Sequence, residues 1–364
     1  KRNMSSLAVL LSSGAAILVD CGEGTQHHIR VSNVLRASRI SAVLLTHLHG
    51  DHCFGLFGLL HTIAMEGRKD PLLIVGPEGL RSMVETVMQC SGGWDPEESY
   101  ELQFMEIPNC GEPGREDLMG ADCKGFSRER CAGAAPVPLG VHAGLTLQAV
   151  PLVHTLPDWG YVLTEPDRPG VLDAARALEL GVPARSPMLG QLKRGKSVQL
   201  PDGRTVSPEE VVGEPIRGRT VAVLQDTCDS SAAVGPCKGA ACVIHEATFE
   251  HAMEKDAWEK GHSTSTMAAS FAAACGARRL VLTHFSARYS TSASDGGDDP
   301  AELLGEEARK VLGEGTPVVV AKDFLVLRGD RDFEPELRLA ARHVPWQPLL
   351  RAGDEDAKMT PCCG

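Results

Sequence analysis

The apolar run Ala42-Val43-Leu44-Leu45 opens directly into Thr46-His47-Leu48-His49-Gly50-Asp51-His52. A buried strand that ends in a turn crowded with imidazoles and a carboxylate puts several metal ligands at one strand end. His-x-His-x-Asp-His supplies four donors in six residues. That is more than one closed tetrahedral site takes from a single loop when its fourth ligand comes from elsewhere. Two metal ions are the natural reading. His47 and His49 share one direction from the loop while Asp51 and His52 turn to another, and a carboxylate beside a metal also steers a bound water. The blander alternatives are a polar loop with surface histidines or a lone structural zinc, but this donor density after a strand has few structural uses.

The rest of the chain repeats the layout. Strands are expected over 6–11 and 15–20, joined by the hairpin signal Ser12-Ser13-Gly14. Asp20-Cys21-Gly22-Glu23-Gly24-Thr25-Gln26 then closes the second strand, with glycines that let the backbone pass tightly before a helix over 26–37. Asp20 either orients a ligand histidine from behind or caps that helix. A helix over 55–65, a strand over 72–75 ended by Gly76-Pro77, and a helix over 78–89 continue an α/β alternation. Further on, strand 145–153 delivers His154, strand 221–225 delivers Asp226, and strand 280–283 delivers His284. His245, in the apolar stretch that starts at Val243, either joins them or is a packed histidine supporting the site. Open sheets place sites at strand ends. The recurrence suggests His47, His49, His154 and Asp226 around one ion and Asp51, His52, His284 and Asp226 around the other.

Composition bounds the alternatives. A chain of 364 residues with 43% hydrophobic content can bury a sizeable core, and a net charge of −12 argues against coating nucleic acid through global electrostatics. A local basic patch remains compatible with gripping phosphates. The 12 cysteines include no Cys-x-x-Cys pair, and Cys21, Cys228, Cys242 and Cys275 lie in apolar stretches, so reduced thiols and an intracellular protein are expected. No run of about 18 apolar residues implies a membrane span. The start at Lys1-Arg2-Asn3 carries no signal peptide and reads as that of a fragment. Over 106–140 the pattern dissolves: ten of the residues are Gly or Pro, and Cys110, Cys123 and Cys131 lack zinc-knuckle spacing, so an irregular surface insertion is expected.

With these residues set out, the chain resembles the tRNase Z family, the tRNA 3′-processing endoribonucleases of the metallo-β-lactamase fold, in its short form. The resemblance is carried by DCGEGTQ from Asp20, LTHLHGDHCFGL from Leu45, the stretch from His154 to Tyr161, VIHEATF from Val243, GHST from Gly261 and LTHFSARY from Leu282. His-x-His-x-Asp-His alone marks only the superfamily, which also holds thioester hydrolases and lactamases. The later motifs are the specific ones. The resemblance implies a four-layer αββα sandwich with an inserted flexible arm, as a catalytic domain over 1–328. It also implies two zinc ions per chain, a hydroxide between them that attacks a phosphodiester, and release of the 3′ trailer from precursor tRNA with a 3′-hydroxyl left behind. It makes Asp51 a ligand and general base, His262 the proton donor to the departing ribose oxygen, and Glu246 a candidate to orient His262. It further implies a homodimer in which one subunit's arm holds the tRNA that the other cuts. A different hydrolase of the fold, acting on a small phosphodiester or thioester, is the alternative. A non-catalytic RNA-binding module would need missing ligands, and none of the seven expected ones is missing.

The arm is placed over 165–219, where Arg185 to Ser207 holds five basic residues and one acidic on an otherwise acidic chain, with Lys193, Arg194 and Lys196 as the expected RNA contacts. Residues 329–364 read as a charged, poorly ordered tail. Two departures from the family pattern stand out. Gln225 occupies the place before Asp226 where glycine is usual, and an initial strand and Gly-rich loop are absent ahead of Asn3.

Overall fold

The computed structural model describes residues 3–109, 135–289 and 299–328. The core of the expected irregular insertion, 110–134, and the expected tail, 329–364, lie outside the described residues. The chain divides into a first unit, Lys1–Asp323, and a second, Phe324–Gly364, whose described residues form no helix or strand.

Burial pattern sorts the strands of the first unit before any topology is drawn. Strands β2 (Ala16–Val19) and β3 (Ile40–Leu44) are apolar and buried almost throughout, as strands covered on both faces must be. Strand β1 (Leu7–Leu10) alternates, as does β5 (Leu102–Ile107), and both are edges. With β4 (Leu72–Pro77) these make a five-stranded sheet in the order β1-β2-β3-β4-β5, parallel except for the β1-β2 hairpin.

The second sheet has seven strands. Strand β6 (Val137–His142) is its alternating edge, followed in space by β7 (Leu145–Leu152), β8 (Asp158–Thr164), β11 (Thr220–Leu224), β12 (Cys242–Glu246), β13 (Leu280–Thr283) and β14 (Val318–Val320). Strands β11 to β14 are mutually parallel, and β7 runs with them because β8 is antiparallel to both β7 and β11. The C-terminal ends of β7, β11, β12 and β13 therefore share one edge.

Alternate side chains of each sheet go to different layers. Leu18, Val43, Leu45 and Ile74 pack outward with helices Thr25–Ser32, Gly55–Met65 and Leu80–Cys90. Ala222, Leu224, Val243 and Leu282 pack outward with helices Ser265–Cys275 and Glu302–Leu312. Their neighbours Ile17, Val19, Leu44, Trp159, Tyr161, Val223 and Ile244 are equally buried and belong to neither outer cluster, so they fill the space between the sheets. The Tyr161 hydroxyl crosses that space and donates to the Leu45 carbonyl at 2.6 Å. The result is the αββα sandwich.

Local readings fare differently. The hairpin and helix Gly55–Met65 fall where the sequence places them. The helix expected over 26–37 ends at Ser32, because Asn33 turns left-handed at φ 54°. The expected insertion is trimmed at both ends, where strand residues 106–107 and 137–140 pair in β5 and β6.

Residues 165–219 are an insertion between β8 and β11 with a small core of their own. Helices Ala174–Glu179 and Pro187–Lys193 and a ribbon of β9 (Val198–Gln199) and β10 (Thr205–Val206) enclose Ala177, Val182, Leu192, Val198, Leu200, Val206 and Val211. Bridges Arg168↔Ile216 and Leu172↔Val212 zip the two connecting segments into a stalk. At its root the Glu165 carboxylate accepts from Nε of Arg219 at 2.7 Å.

Candidate metal centre

The ligand loop is held from below by a close backbone approach. Gly55 N–H donates to the Cys21 carbonyl at 2.9 Å, and a Cβ on Gly55 would stand 1.9 Å from the Gly22 oxygen, so only glycine fits there. This docks the Asp20-Cys21-Gly22 turn on the short helix Gly50–Cys53, which carries Asp51 and His52.

Four of the imidazoles are oriented by an oxygen at the far side of the ring. His52 Nδ1–H donates to Oδ2 of Asp20 at 2.8 Å. Asp20 therefore takes the orienting role rather than the helix-capping one, and Gly24 caps that helix. His154 Nδ1–H donates to the Gly261 carbonyl at 2.7 Å. His47 Nδ1 meets the Thr46 hydroxyl at 3.0 Å, with Oδ2 of Asp158 3.5 Å away, and Thr46 donates on to Asp20. His284 Nδ1–H reaches the Thr248 hydroxyl at 3.0 Å, which donates to Oε2 of Glu246 at 2.6 Å. With Nδ1 engaged, each of these four rings presents a bare Nε2 inward, whereas His49 turns its Nδ1 to the cluster. A bare nitrogen facing inward is what a metal ligand needs.

The inward atoms fall into two groups. His47 Nε2 lies 2.9 Å from His49 Nδ1, His154 Nε2 lies 3.2 Å from the same atom, and Oδ2 of Asp226 is 3.8 and 3.9 Å from the two Nε2 atoms. On the other side His52 Nε2 and His284 Nε2 are 3.3 Å apart, with Oδ1 of Asp226 at 3.4 and 3.2 Å and Oδ2 of Asp51 at 3.5 and 3.6 Å. Asp226 is 2% exposed, and its Oδ1 is buried without a hydrogen-bond partner. Acceptor nitrogens converging on an orphaned carboxylate oxygen repel one another unless cations lie among them, so the donor set fits metal ions. The four residues His47, His49, His154 and Asp226, and the three residues Asp51, His52 and His284, each bring ligand atoms within binding reach. The chain carries a metal cofactor site.

Protonation tendencies divide along the same line. Burial, then the neighbouring imidazole of His52, pushes His47 well below the ordinary histidine range, and burial lowers His49 and His154 as well, keeping these rings neutral. For His52 burial opposes the charge, but Asp226 and Asp20 outweigh it and raise the group. Asp226 is held well below the usual carboxylate range, its burial overcome by His284 and His52.

His262 stands beside the groups. Its Nδ1–H donates to Oε1 of Glu246 at 3.0 Å and lies 3.9 Å from Oδ2 of Asp226, so geometry also brings it within reach of a metal shared by Asp226 and His284. Burial works against its charge, yet the bond to Glu246 and the charges of Glu246 and Asp226 raise it to about 9. His245 does not join: Nδ1–H donates to the Glu246 carbonyl at 2.7 Å, and Nε2 pairs with Ser230 at 3.0 Å. It is the packed histidine. Thr264 caps helix Ser265–Cys275, accepting from Met267 N–H. Gln225 is buried, with its Oε1 lacking a partner. Lys193, Arg194 and Lys196 are exposed in the insertion. Sequence reasoning missed Asp158 and Thr248. The Thr248 signal was present, as the last residue of His-Glu-Ala-Thr, whereas Asp158 shows only as an acid at a strand start.

Asp20 and His284 hold φ angles of 59° and 55°, left-handed values rare outside glycine. Both sit where a side chain must be turned into the cluster, which is where such strain concentrates.

The αββα sandwich with imidazoles and carboxylates gathered at its strand ends defines a metallo-β-lactamase-fold hydrolase. The chain is 37% identical over 326 residues to Ribonuclease Z of Prochlorococcus marinus (strain MIT 9312), covering 89% of this chain and 94% of that relative. It is 37% identical over 347 residues to human Zinc phosphodiesterase ELAC protein 1, covering 89% and 93%. It belongs to the ribonuclease Z family. Among solved structures it is similar to human tRNase Z, short form, with TM-score 0.57, 26% identity, and coverage of 89% of this chain and 92% of that one. It shares its fold with the metallo-beta-lactamase fold protein YhfI from Bacillus subtilis, at TM-score 0.53, 16% identity, and coverage of 88% and 89%. A family model described as Anti-Pycsar protein Apyc1 matches residues 1–110.

Proposed function

We propose that this protein is a zinc-dependent endoribonuclease that removes the 3′ trailer from precursor tRNA, with His47, His49, His154 and Asp226 holding one zinc and Asp51, His52, His284 and Asp226 the other. The observation that carries this reading is the division of Asp226, one oxygen toward each group. Two zinc ions held there would supply an activated water and neutralise charge building on the phosphate.

The chain's own residues do the rest. Asp51, 43% exposed at the mouth of the cluster, is placed to take a proton from the attacking water. His262 gives its proton to the ribose 3′ oxygen as the bond to phosphorus breaks, since an alkoxide leaving group needs an acid. Its Nδ1–H bond to the buried Glu246 carboxylate favours the charged ring, the form a proton donor needs. Glu246 holds that ring in place. The insertion 165–219, with exposed Lys193, Arg194 and Lys196, grips tRNA phosphates at a distance from the cut. The protein acts as a homodimer, one subunit's insertion serving the other's site, and works inside the cell, in keeping with the buried thiols Cys21, Cys242 and Cys275. Among the described residues no helix is long and apolar enough to cross a membrane.

Incubating the purified protein with a 3′-extended precursor tRNA tests this. The expected products are a tRNA ending in a 3′-hydroxyl and a 5′-phosphorylated trailer, lost with chelator and restored by zinc. Cleavage that survives full metal removal, or none with metal present, overturns the reading.

A further inference from the structure

Arg288, in the Leu282-to-Tyr289 motif, and Lys260, just ahead of Gly261-His262, have no part in the chemistry above. Both meet one aromatic ring. Nζ of Lys260 and Cζ of Arg288 each stand 5.3 Å from the centre of the Phe249 ring. Phe249 is 4% exposed, and its ring is edge-on to that of His262, with centroids 6.1 Å apart. Both placements follow from tight turns. Lys260 ends helix Glu254–Lys260, and Gly261, left-handed at φ 73°, brings the chain straight to His262; a Cβ there would stand 2.9 Å from Nδ1 of His154. Arg288 lies in the single turn Ala287–Tyr289, four residues past His284. Its guanidinium also meets the Met253 sulfur.

Two like charges brought over one ring repel each other, and the ring's quadrupole returns only about 0.5–1 kcal/mol apiece at exposed sites. Both side chains are exposed, and among the described residues neither is in an ion pair, on a chain of net charge −12. Two exposed cations outside any ion pair, both held at the ring that abuts a proton donor, offer a phosphate anion charged hydrogen bonds from two sides.

We infer that Lys260 and Arg288 clamp the backbone phosphate next to the scissile one on its upstream side, the side of the nucleotide whose 3′ oxygen leaves. This rests on the ribonuclease reading. The upstream choice follows from His262: the ring that protonates the leaving oxygen lies against Phe249, so the nucleotide carrying that oxygen runs toward the two cations. Lys260 gives a point charge and Arg288 a planar fork, which together hold one phosphate without reading a base.

The test uses precursor tRNAs with one uncharged methylphosphonate linkage, placed one nucleotide upstream or one downstream of the cut. For the intact protein the upstream replacement is expected to lower kcat/KM about tenfold, mainly through KM, the scale of one charged hydrogen bond. Lys260→Ala with Arg288→Ala should lose as much on the natural substrate, lose nothing more from the upstream replacement, and show a salt slope smaller by about one. Lys260→Arg should keep most of the affinity. Unaltered cleavage of natural substrate by the double variant, or a further tenfold loss when the upstream linkage is neutralised, overturns the clamp. A response confined to the downstream linkage also overturns it. An intact protein that cuts no precursor tRNA removes the ribonuclease reading, and is distinguishable because it needs no variant.

Discussion

Nδ1–H of His262 donates to Oε1 of Glu246 across 3.0 Å, and that carboxylate is wholly buried. It also accepts from Thr227 N–H at 2.7 Å, Thr248 N–H at 3.1 Å and the Thr248 hydroxyl at 2.6 Å. Burial penalises the charge on Glu246, but the bond to His262 and the charge of that ring keep its pKa below the ordinary value.

Glu246→Gln should therefore move the alkaline limit of cleavage to lower pH. With Glu246 in place His262 titrates near 9 in the metal-free protein, so its proton is present below that pH and lost above it. The bond's stabilisation is complete below the unfolded histidine value of about 6.5 and disappears as pH rises through about 9. Histidine NMR on metal-free protein checks the shift, and pH–rate profiles check its consequence. An unchanged His262 titration in the variant contradicts the coupling. His262→Ala should slow cleavage ~100-fold or more while both metals stay bound, and zinc loss in that variant would make His262 a ligand.

Metal content is the second expectation. The intact protein should hold two zinc ions per chain, and His49→Ala or Asp226→Ala should abolish cleavage while leaving the circular dichroism of the fold in place. Asp226 spans both groups, so its loss should release more metal than the loss of His49. Metal analysis of active protein finding one zinc or none contradicts the pairing.

Asp20 offers a test of charge without strain. Its φ of 59° suits asparagine nearly as well, so Asp20→Asn keeps the backbone and removes the negative acceptor behind His52. Partners of this kind are worth about 10–100-fold in metal affinity. Competition with a zinc-binding dye should show that loss at one of two sites, whereas equal weakening at both would mean a general loosening.

What the sequence discloses is governed by distance along the chain. The candidate ligands His47, Asp226 and His284 follow apolar strands, and period and strand ends are local signals. His154 was visible for the same reason. The partners that fix the rings are not local. Asp20 holds His52 from 32 residues away, and Gly261 holds His154 from 107 residues away. Nor is a left-handed His284 visible, because only the folded frame forces it. The insertion shows a third kind of limit. Its glycines, prolines and lysines announce an exposed segment, while the seven apolar residues of its small core are spaced too irregularly to reveal two short helices and a ribbon.

That core makes the insertion separable from the metal centre, which is the last expectation. Leu192 is fully buried among Ala177, Val198 and Val206, one residue before Lys193. Leu192→Ala should cost about 2–5 kcal/mol locally, more than so small a cluster withstands. The basic residues would then be presented by a disordered chain. Binding of precursor tRNA should weaken severely, while zinc content and hydrolysis of a small phosphodiester stay near the intact values, because Glu165 and Arg219 close the root of the stalk independently of the tip. Neutralising Lys193, Arg194 and Lys196 together should weaken binding in a different way, flattening its dependence on salt while the tip remains folded. Binding isotherms at several salt concentrations separate the two effects. If the Leu192→Ala protein bound and cut precursor tRNA as well as the intact one, the insertion would have no part in substrate grip, and a small phosphodiester would become the better substrate.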